Sequence, residues 1–216
     1  MNKEWSELNK TLQTQIKKKD SYSDGIDTLI ELRDQIMTTV NSFRNDLTRD
    51  DFDALPYINA DGYHSKNIAY SLWHIFRIED IVAHELIQGD EEIFFAKDYQ
   101  KRTHSPIITT GNELVKEQIS DFTKQLDIDE LYSYISDVKA GTESMLKVLP
   151  YAYLKNRITE DRKERLSKAG VVSSDESAIW LIDYWCGKDI KGLIQMPFSR
   201  HWIMHTEACL RIKNKL

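Results

Sequence analysis

Two histidines four residues apart near the end of the sequence carry its clearest chemical signal. His201 and His205 lie in a segment where apolar residues recur at helical spacing. With about 100° of rotation per residue, both fall within a roughly 120° arc of apolar side chains. The arc contains Phe198, Trp202, Ala208, Cys209, Ile212 and Leu216. Because residues i and i+4 stand one turn apart on the same face, these two imidazoles can bind a single metal ion.

Two imidazoles leave most of a metal's coordination sphere empty, so the pattern predicts a further ligand from another helix. The remaining histidines are His64, His74, His84 and His104. A helix is expected from Ser65, as its N-cap, to Gly89, which follows its last turn. On that helix His74 lies at the inner edge of the apolar face and His84 near the opposite edge. The phase therefore favours His74 as the third ligand.

The charged residues of the same helix help to orient it. Arg77, Glu79 and Asp80 are expected to form an outer, solvent-facing side, while Ile78 and Tyr70 flank His74. The alternative is that all these histidines are separate core or surface residues, satisfied by hydrogen bonds to backbone or carboxylate groups. A pair within an apolar stripe favours the metal, because buried imidazoles need a partner.

Several sharper motifs are absent, which narrows the chemistry. Trp202 follows His201, so there is no HExxH motif of a zincin-type protease. Paired ExxH motifs of a di-iron bundle, a Gly-rich phosphate loop and a CxxC pair are also missing. The chemistry expected is that of a single metal ion held by imidazoles.

The elements that must position these ligands are helical. Apolar spacing predicts helices over residues 23–43, 65–88, 114–149 and 198–215, with further helical segments over 151–168 and 174–187. Turn formers predict long connections at 50–64 and 90–111. The whole chain, 1–216, is expected to be a single domain in which residues 1–19 form a polar N-terminal arm. Trp180, Tyr184, Trp185 and Trp202 either line a substrate pocket or fill the interior, and the second is favoured.

Composition limits the partners and the compartment. The chain has 216 residues, a net charge of −6 and 41% hydrophobic residues. An acidic chain does not favour nucleic acid as a partner, and charges interrupt every apolar run before it reaches the length of a membrane span. Two cysteines make no disulfide framework, so we expect a soluble cytoplasmic protein with reduced thiols.

Two short motifs resemble one known family. The segments Ser71-Leu72-Trp73-His74-Ile75 and His201-Trp202-Ile203-Met204-His205, in this order, resemble the DinB/YfiT-like family of metal-dependent enzymes. The resemblance implies an all-α fold, an antiparallel four-helix bundle with additional short helices and long connections. It also implies one divalent metal ion bound by His74, His201 and His205, and a homodimer. Thr206-Glu207-Ala208 stands where members commonly have Arg-Gly-Gln, and residues 90–111 and 151–185 add length.

The resemblance further implies a reaction. Relatives include S-transferases and isomerases that use low-molecular-weight thiols, so the leading hypothesis is thiol transfer to a small-molecule electrophile. Metal-assisted hydrolysis is second. An ion with three imidazole ligands and an open position lowers the pKa of water or a thiol toward neutrality, and zinc or nickel is favoured, with iron a further candidate. The alternative is a non-catalytic, stress-related metal-binding bundle that acts through dimerisation or partner binding.

Overall fold

A computed structural model describes residues 2–216, and along them the chain is helical and contains no β-strand. The α-helices are α1 (Lys3–Gln15), α2 (Tyr22–Asp46), α3 (Arg49–Asp53), α4 (Ile68–Ile81), α5 (Ile93–Ala96), α6 (Tyr99–Arg102), α7 (Glu117–Thr123), α8 (Ile128–Val148), α9 (Glu160–Ala169), α10 (Glu176–Cys186), α11 (Ile190–Gln195) and α12 (His201–Lys213). Short 3₁₀ turns cover Lys19–Ser21, Gly62–Ser65 and Tyr151–Lys155. None of these helices combines the length and the apolar character that a membrane crossing requires. The all-α prediction is confirmed.

Helix α4 lies at the centre of the fold. It packs against α8 and α12, and α2 packs against the same two helices. Every residue of α4 is buried, because α3, α5 and α7 cover the sides that the longer helices leave open. A helix enclosed on all sides must place its polar groups against specific partners inside the protein.

The ends of α4 follow local capping rules. The side chain of Asn67 accepts a hydrogen bond from the backbone N–H of Tyr70 at 2.8 Å, so the N-cap lies two residues after the predicted Ser65. At its other end α4 runs directly into a π-helical turn, Val82–Gln88. Gly89, with φ 82°, terminates the helix as predicted, in the left-handed conformation that glycine adopts without steric cost.

The expectation of a charged outer face on this helix is wrong. Arg77, Glu79 and Asp80 are fully buried. Arg33 of α2 makes two hydrogen bonds to the Glu79 carboxylate, at 2.7 and 2.9 Å, and the indole N–H of Trp202 donates to it at 2.7 Å. The charges are tolerated inside because they satisfy one another, and the same bonds join α2, α4 and α12.

A second buried group ties α4 to α5 and α8. The Asp80 carboxylate accepts hydrogen bonds from the backbone N–H groups of Ile93 and Phe94, both at 2.9 Å. It also accepts one from the Tyr134 hydroxyl at 2.8 Å. Asp80 thereby accepts from backbone N–H groups at the start of α5 that have no partner within that helix, and its own carboxylate is not left without hydrogen bonds.

The N-terminal segment, expected to be a polar and possibly helical arm, is a helix that packs against the fold. Residues 3–15 form α1, which packs along α2 with Trp5, Leu12 and Ile16 buried. These residues and the half-buried Leu8 recur at spacings of three and four, so they make a narrow apolar stripe. The polar and charged residues that stand between them conceal that stripe in the sequence.

The last helix also begins earlier than predicted. Its predicted start at residue 198 is wrong, since helical structure runs from Ile190 through a π-helical turn, Met196–Arg200, into α12. The backbone N–H of His201 donates to the carbonyl of Met196, five residues earlier. Pro197 therefore lies inside a widened turn rather than at a helix start.

Replacing Arg33 with Met should strongly destabilise the protein, because Glu79 is then left buried without its cation. We expect the free energy of unfolding to fall by about 3–5 kcal/mol, measured by urea unfolding followed by circular dichroism. Arg44→Met is the matched control, since Arg44 pairs with Asp129 in an exposed ion pair and should lose less than about 1 kcal/mol. Equal losses in the two variants would contradict the role given to the buried network.

Candidate metal centre

The three histidines singled out by the sequence come together in the structure. His74 projects from α4, and His201 and His205 project from α12. One ring nitrogen of each lies within 4.8 Å of the others. The ring centroids are 5.0, 4.8 and 4.5 Å apart, and all three side chains are buried. The three nitrogens are therefore close enough together to be candidate ligands of one ion.

The buried charge network holds α12 in one rotation about its own axis relative to α4. Trp202 stands next to His201, and its indole is held by Glu79 of α4 on one side. The guanidinium of Arg33 lies 4.2 Å from the centroid of the same indole. With Trp202 fixed between these charges, α12 cannot turn about its axis, and His201 and His205 face His74.

The tautomer of His74 is fixed by its surroundings. Its Nδ1 lies 2.8 Å from the backbone carbonyl oxygen of Thr110. A carbonyl can only accept, so Nδ1 carries the proton and Nε2 keeps its lone pair. An imidazole oriented in this way by its second nitrogen is the usual state of a metal-binding histidine.

The bond to Thr110 belongs to a series that fixes a whole loop. Four side chains donate hydrogen bonds to carbonyl groups of residues 108–114. Three of them lie on successive turns of α4, and the fourth, Lys66, lies just before it. Besides the bond of His74, the pairs are Lys66 Nζ with Leu114 O (2.7 Å), Tyr70 Oη with Gly111 O (2.9 Å) and Arg77 Nε with Ile108 O (2.9 Å). We call this segment the carbonyl loop. It satisfies its own backbone acceptors while it orients the ligand.

Gly111 shows how closely the carbonyl loop approaches α4. Its φ is +75°, a region that side chains rarely adopt. A Cβ at this position would lie only 3.0 Å from the ring of Tyr70. The ring of Tyr70 in turn stacks on His74, with centroids 5.4 Å apart, so the glycine allows the loop to press the aromatic ring against the ligand.

Burial keeps the three imidazoles neutral. It lowers the pKa of His74 to about 4. It also lowers the pKa of His201 and His205 well below the ordinary value, with further lowering from the neighbouring histidines. Metal ions bind the neutral ring, so the site is deprotonated and ready at physiological pH.

The polar atoms left over at this site fit a cation. The Nδ1 atoms of His201 and His205 are buried and have no hydrogen-bond partner. Unpartnered buried nitrogens are costly, and a divalent cation is a partner that removes this cost. The residues present therefore fit one imidazole-bound ion, with His74, His201 and His205 to hold it.

The other histidines have different surroundings. His84 donates from Nδ1 to Asp90 at 2.7 Å, away from the cluster, and His104 is exposed at a φ of 57°. His64 lies near the cluster but is not among the three grouped rings, and Tyr63 stands beside it, with its ring 4.0 Å from that of His64 and 5.3 Å from that of His205. Helical phase favoured His74 over His84, and His74 is the residue that the structure places beside His201 and His205.

A cavity of about 620 Å³ opens onto the three histidines. Trp180, Tyr184 and Trp185 of α10 line it, together with residues of the 58–66 segment. The expectation that the aromatic residues fill the interior is confirmed for Trp185 and Trp202, which are both buried, whereas Trp180 is 49% exposed and Tyr184 is 37% exposed. One side of α10 therefore packs into the core through Leu181, Ile182 and Trp185, while Trp180 and Tyr184 form part of the cavity wall.

Lys66 is a cation inside this cavity that the sequence did not single out. Among residues 2–216 no carboxylate lies within 4 Å of its ammonium group, which stands 4.8 Å from the centroid of the Tyr70 ring. Burial lowers the pKa of Lys66 to about 8, and the charge of Glu113 opposes that shift. The group is therefore mostly protonated at neutral pH. The signal in the sequence was its position, four residues before Tyr70 and eight before His74, which places the three residues on one side.

No protein-family model and no curated protein matches the sequence. Inferences about function therefore come from the geometry and chemistry of this site.

Removing any of the three histidines should remove the metal. We expect the full chain to bind one zinc or nickel ion, and His74→Ala, His201→Ala and His205→Ala each to retain less than about a tenth of it, because too few ligands remain. Equilibrium dialysis with elemental analysis gives the stoichiometry. His104→Asn is the control, since Asn tolerates the positive φ; unchanged binding in the alanine variants would contradict the ligand assignment.

Metal-free protein should become less stable in mild acid. Because burial lowers the pKa of His74 to about 4, the unfolded chain takes up protons below about pH 6.5 that the folded chain does not. This contribution to stability is complete above about pH 6.5 and is lost as the pH falls toward 4. From His74 alone we expect a loss of about 2 kcal/mol between about pH 7 and pH 5. Urea unfolding at the two pH values measures it.

The control for this titration is a variant with Gln at positions 74, 201 and 205. Other groups, such as Glu92, whose pKa burial raises to about 7, titrate in both proteins, so the difference isolates the three rings. An equal pH dependence in the two proteins would mean that the histidines are protonated as easily when folded as when unfolded.

Proposed function

We propose that this protein is a metal-dependent enzyme that acts on a small molecule. The observation that carries the proposal is the group of three buried histidines at a cavity of about 620 Å³. A structural metal site is usually closed by protein ligands, whereas a catalytic site keeps a position accessible to substrate. Three histidines beside a cavity of ligand-binding size favour the second kind.

Membership of the DinB/YfiT-like family is part of the proposal. One support is the order of the motifs along the chain. The other is a closed ring of helix contacts, in which α2 packs on α8, α8 on α4, α4 on α12 and α12 on α2. We interpret that ring as an antiparallel four-helix bundle, to which the short helices and the long connections are added. The same resemblance leads us to propose a homodimer.

The chain's own residues have distinct roles in this proposal. His74, His201 and His205 hold the ion, and the carbonyl of Thr110 keeps the proton of His74 on Nδ1. When bound, the ion supplies a Lewis acid that lowers the pKa of water or a thiol toward neutrality. The aromatic side chains of α10 line one side of the cavity and offer apolar surface to a bound substrate.

Thiol transfer to a small electrophile is the leading reaction, and hydrolysis is the second. The cavity volume is sufficient for a low-molecular-weight thiol together with a small electrophile, which a thiol transfer requires and a hydrolysis does not. Zinc or nickel is the proposed metal, and iron is a further candidate, because three imidazoles suit all of them. A non-catalytic, stress-related bundle acting through dimerisation or partner binding is the competing function.

Chelation should abolish catalysis if this proposal is right. Conjugation of chlorodinitrobenzene with cysteine, coenzyme A or glutathione is followed by absorbance in metal-loaded protein, with and without phenanthroline. We expect a rate at least about tenfold above the uncatalysed one, which falls to background with chelator and returns when zinc or nickel is added.

Two variants complete this experiment. His201→Ala should have the background rate, and His104→Asn should retain the full rate. A rate that ignores the chelator would contradict a metal mechanism. Turnover of nitrophenyl esters without thiol conjugation would favour hydrolysis, and neither reaction, with the metal bound, would favour the non-catalytic bundle.

A further inference from the structure

The cavity contains two features that metal binding alone does not require. One is an aromatic wall on α10, and the other is the ammonium group of Lys66. Their surroundings indicate what kind of molecule fits between them and the histidines.

The aromatic wall is exposed and yet fixed in place. Trp180 is 49% exposed and Tyr184 is 37% exposed, although both line the cavity. The indole N–H of Trp180 donates to the carbonyl of Ser177 at 2.8 Å, and its ring packs on Tyr184 at 5.5 Å between centroids. Because its polar group is already satisfied by its own helix, the indole presents an apolar face to whatever occupies the cavity.

The ammonium group of Lys66 has N–H donors that form no hydrogen bond within the described residues. An ammonium group has three N–H donors, and the structure accounts for one, to the carbonyl of Leu114. No carboxylate of the described residues comes within 4 Å of it, and the nearby Glu113 accepts a hydrogen bond from Thr109. A second lysine, Lys116, also lines the cavity, where Asp61 is the acidic residue. Lys66 thus brings positive charge next to the histidines without a direct ion pair, and Glu113 acts on that charge only from a longer distance.

We infer that the cavity binds an amphipathic small molecule whose flat apolar group lies against Trp180 and Tyr184 and whose anionic group pairs with Lys66. This assignment deepens the proposed function, on which it rests for the role of that molecule as a substrate. A cationic ligand would meet the like charges of Lys66 and Lys116. A fully polar one would leave the aromatic wall without a partner, and the concave shape suits a small molecule better than a protein surface.

Two fluorescent probes that differ only in charge test this inference. Anilinonaphthalene sulfonate has a flat apolar ring system and an anionic group, and phenylnaphthylamine has the same rings without the sulfonate. Both are titrated into the full chain, metal-free and zinc-loaded, and energy transfer from tryptophan reports binding near α10. Zinc per chain and the circular dichroism spectrum are measured on the same samples.

The expected result separates the two features. Lys66→Gln keeps a hydrogen-bond donor but removes the charge, and it should weaken the sulfonate about 5- to 20-fold while leaving phenylnaphthylamine within about 2-fold. Lys66→Arg should bind the sulfonate like the natural protein. Trp180→Ala should weaken both probes about 10-fold, because both lose the same apolar surface.

Matched controls lie outside the cavity. Lys147→Met removes an exposed lysine, and Tyr153→Ala removes an aromatic residue that is 53% exposed, so neither should change binding. The inference is overturned if the natural protein binds both probes equally, if Lys66→Gln weakens both alike, or if Trp180→Ala behaves like Tyr153→Ala. Retention of zinc in that case would leave the metal proposal standing, whereas charge-selective binding by a chain that takes up no zinc would overturn the metal proposal alone.

Discussion

The buried contact of Arg33 with Glu79 and Trp202 is the interaction on which the rest of this structure depends. An ion pair in the interior contributes little net stability compared with apolar packing, but it tolerates only one arrangement of its partners. Here those partners belong to α2, α4 and α12. The network therefore specifies the rotation of α12 relative to α4, and that rotation determines whether the histidines meet.

The pocket and the histidine cluster share a second constraint, the carbonyl loop of residues 108–114. Its acceptors are held by Lys66, Tyr70, His74 and Arg77, which follow one another along a single line of side chains. The residue that we propose to pair with a ligand's charge, Lys66, and the proposed metal ligand His74 thus both bond to the same backbone segment. Both side chains therefore depend on the position of that segment for their own hydrogen bonds.

Sequence reasoning succeeded where the signal was local and periodic. The spacing of His201 and His205, and the phase of His74, are properties of single helices, and each proved sufficient to identify residues that converge. It failed for Glu79, because its partner Arg33 lies 46 positions away and periodicity cannot detect such a pairing. Trp180 was misjudged because an apolar stripe facing a cavity looks like one facing a core. The spacing of Lys66 before Tyr70 and His74 could place it on the same side as these residues, but it could not reveal their backbone carbonyl partners, which have no side-chain signature in the sequence.

The widened turn of residues 196–200 has a consequence for how such a site arises. A π-helical turn holds one residue more than an α-helical turn, and that residue shifts the register of everything after it by about 100°. Deleting one residue from this turn would rotate the pair His201 and His205 by about 100° relative to α11, so that one or the other faces elsewhere. The ability to bind an ion could thus be gained or lost in evolution by inserting or deleting one codon, with every ligand residue still present in the gene.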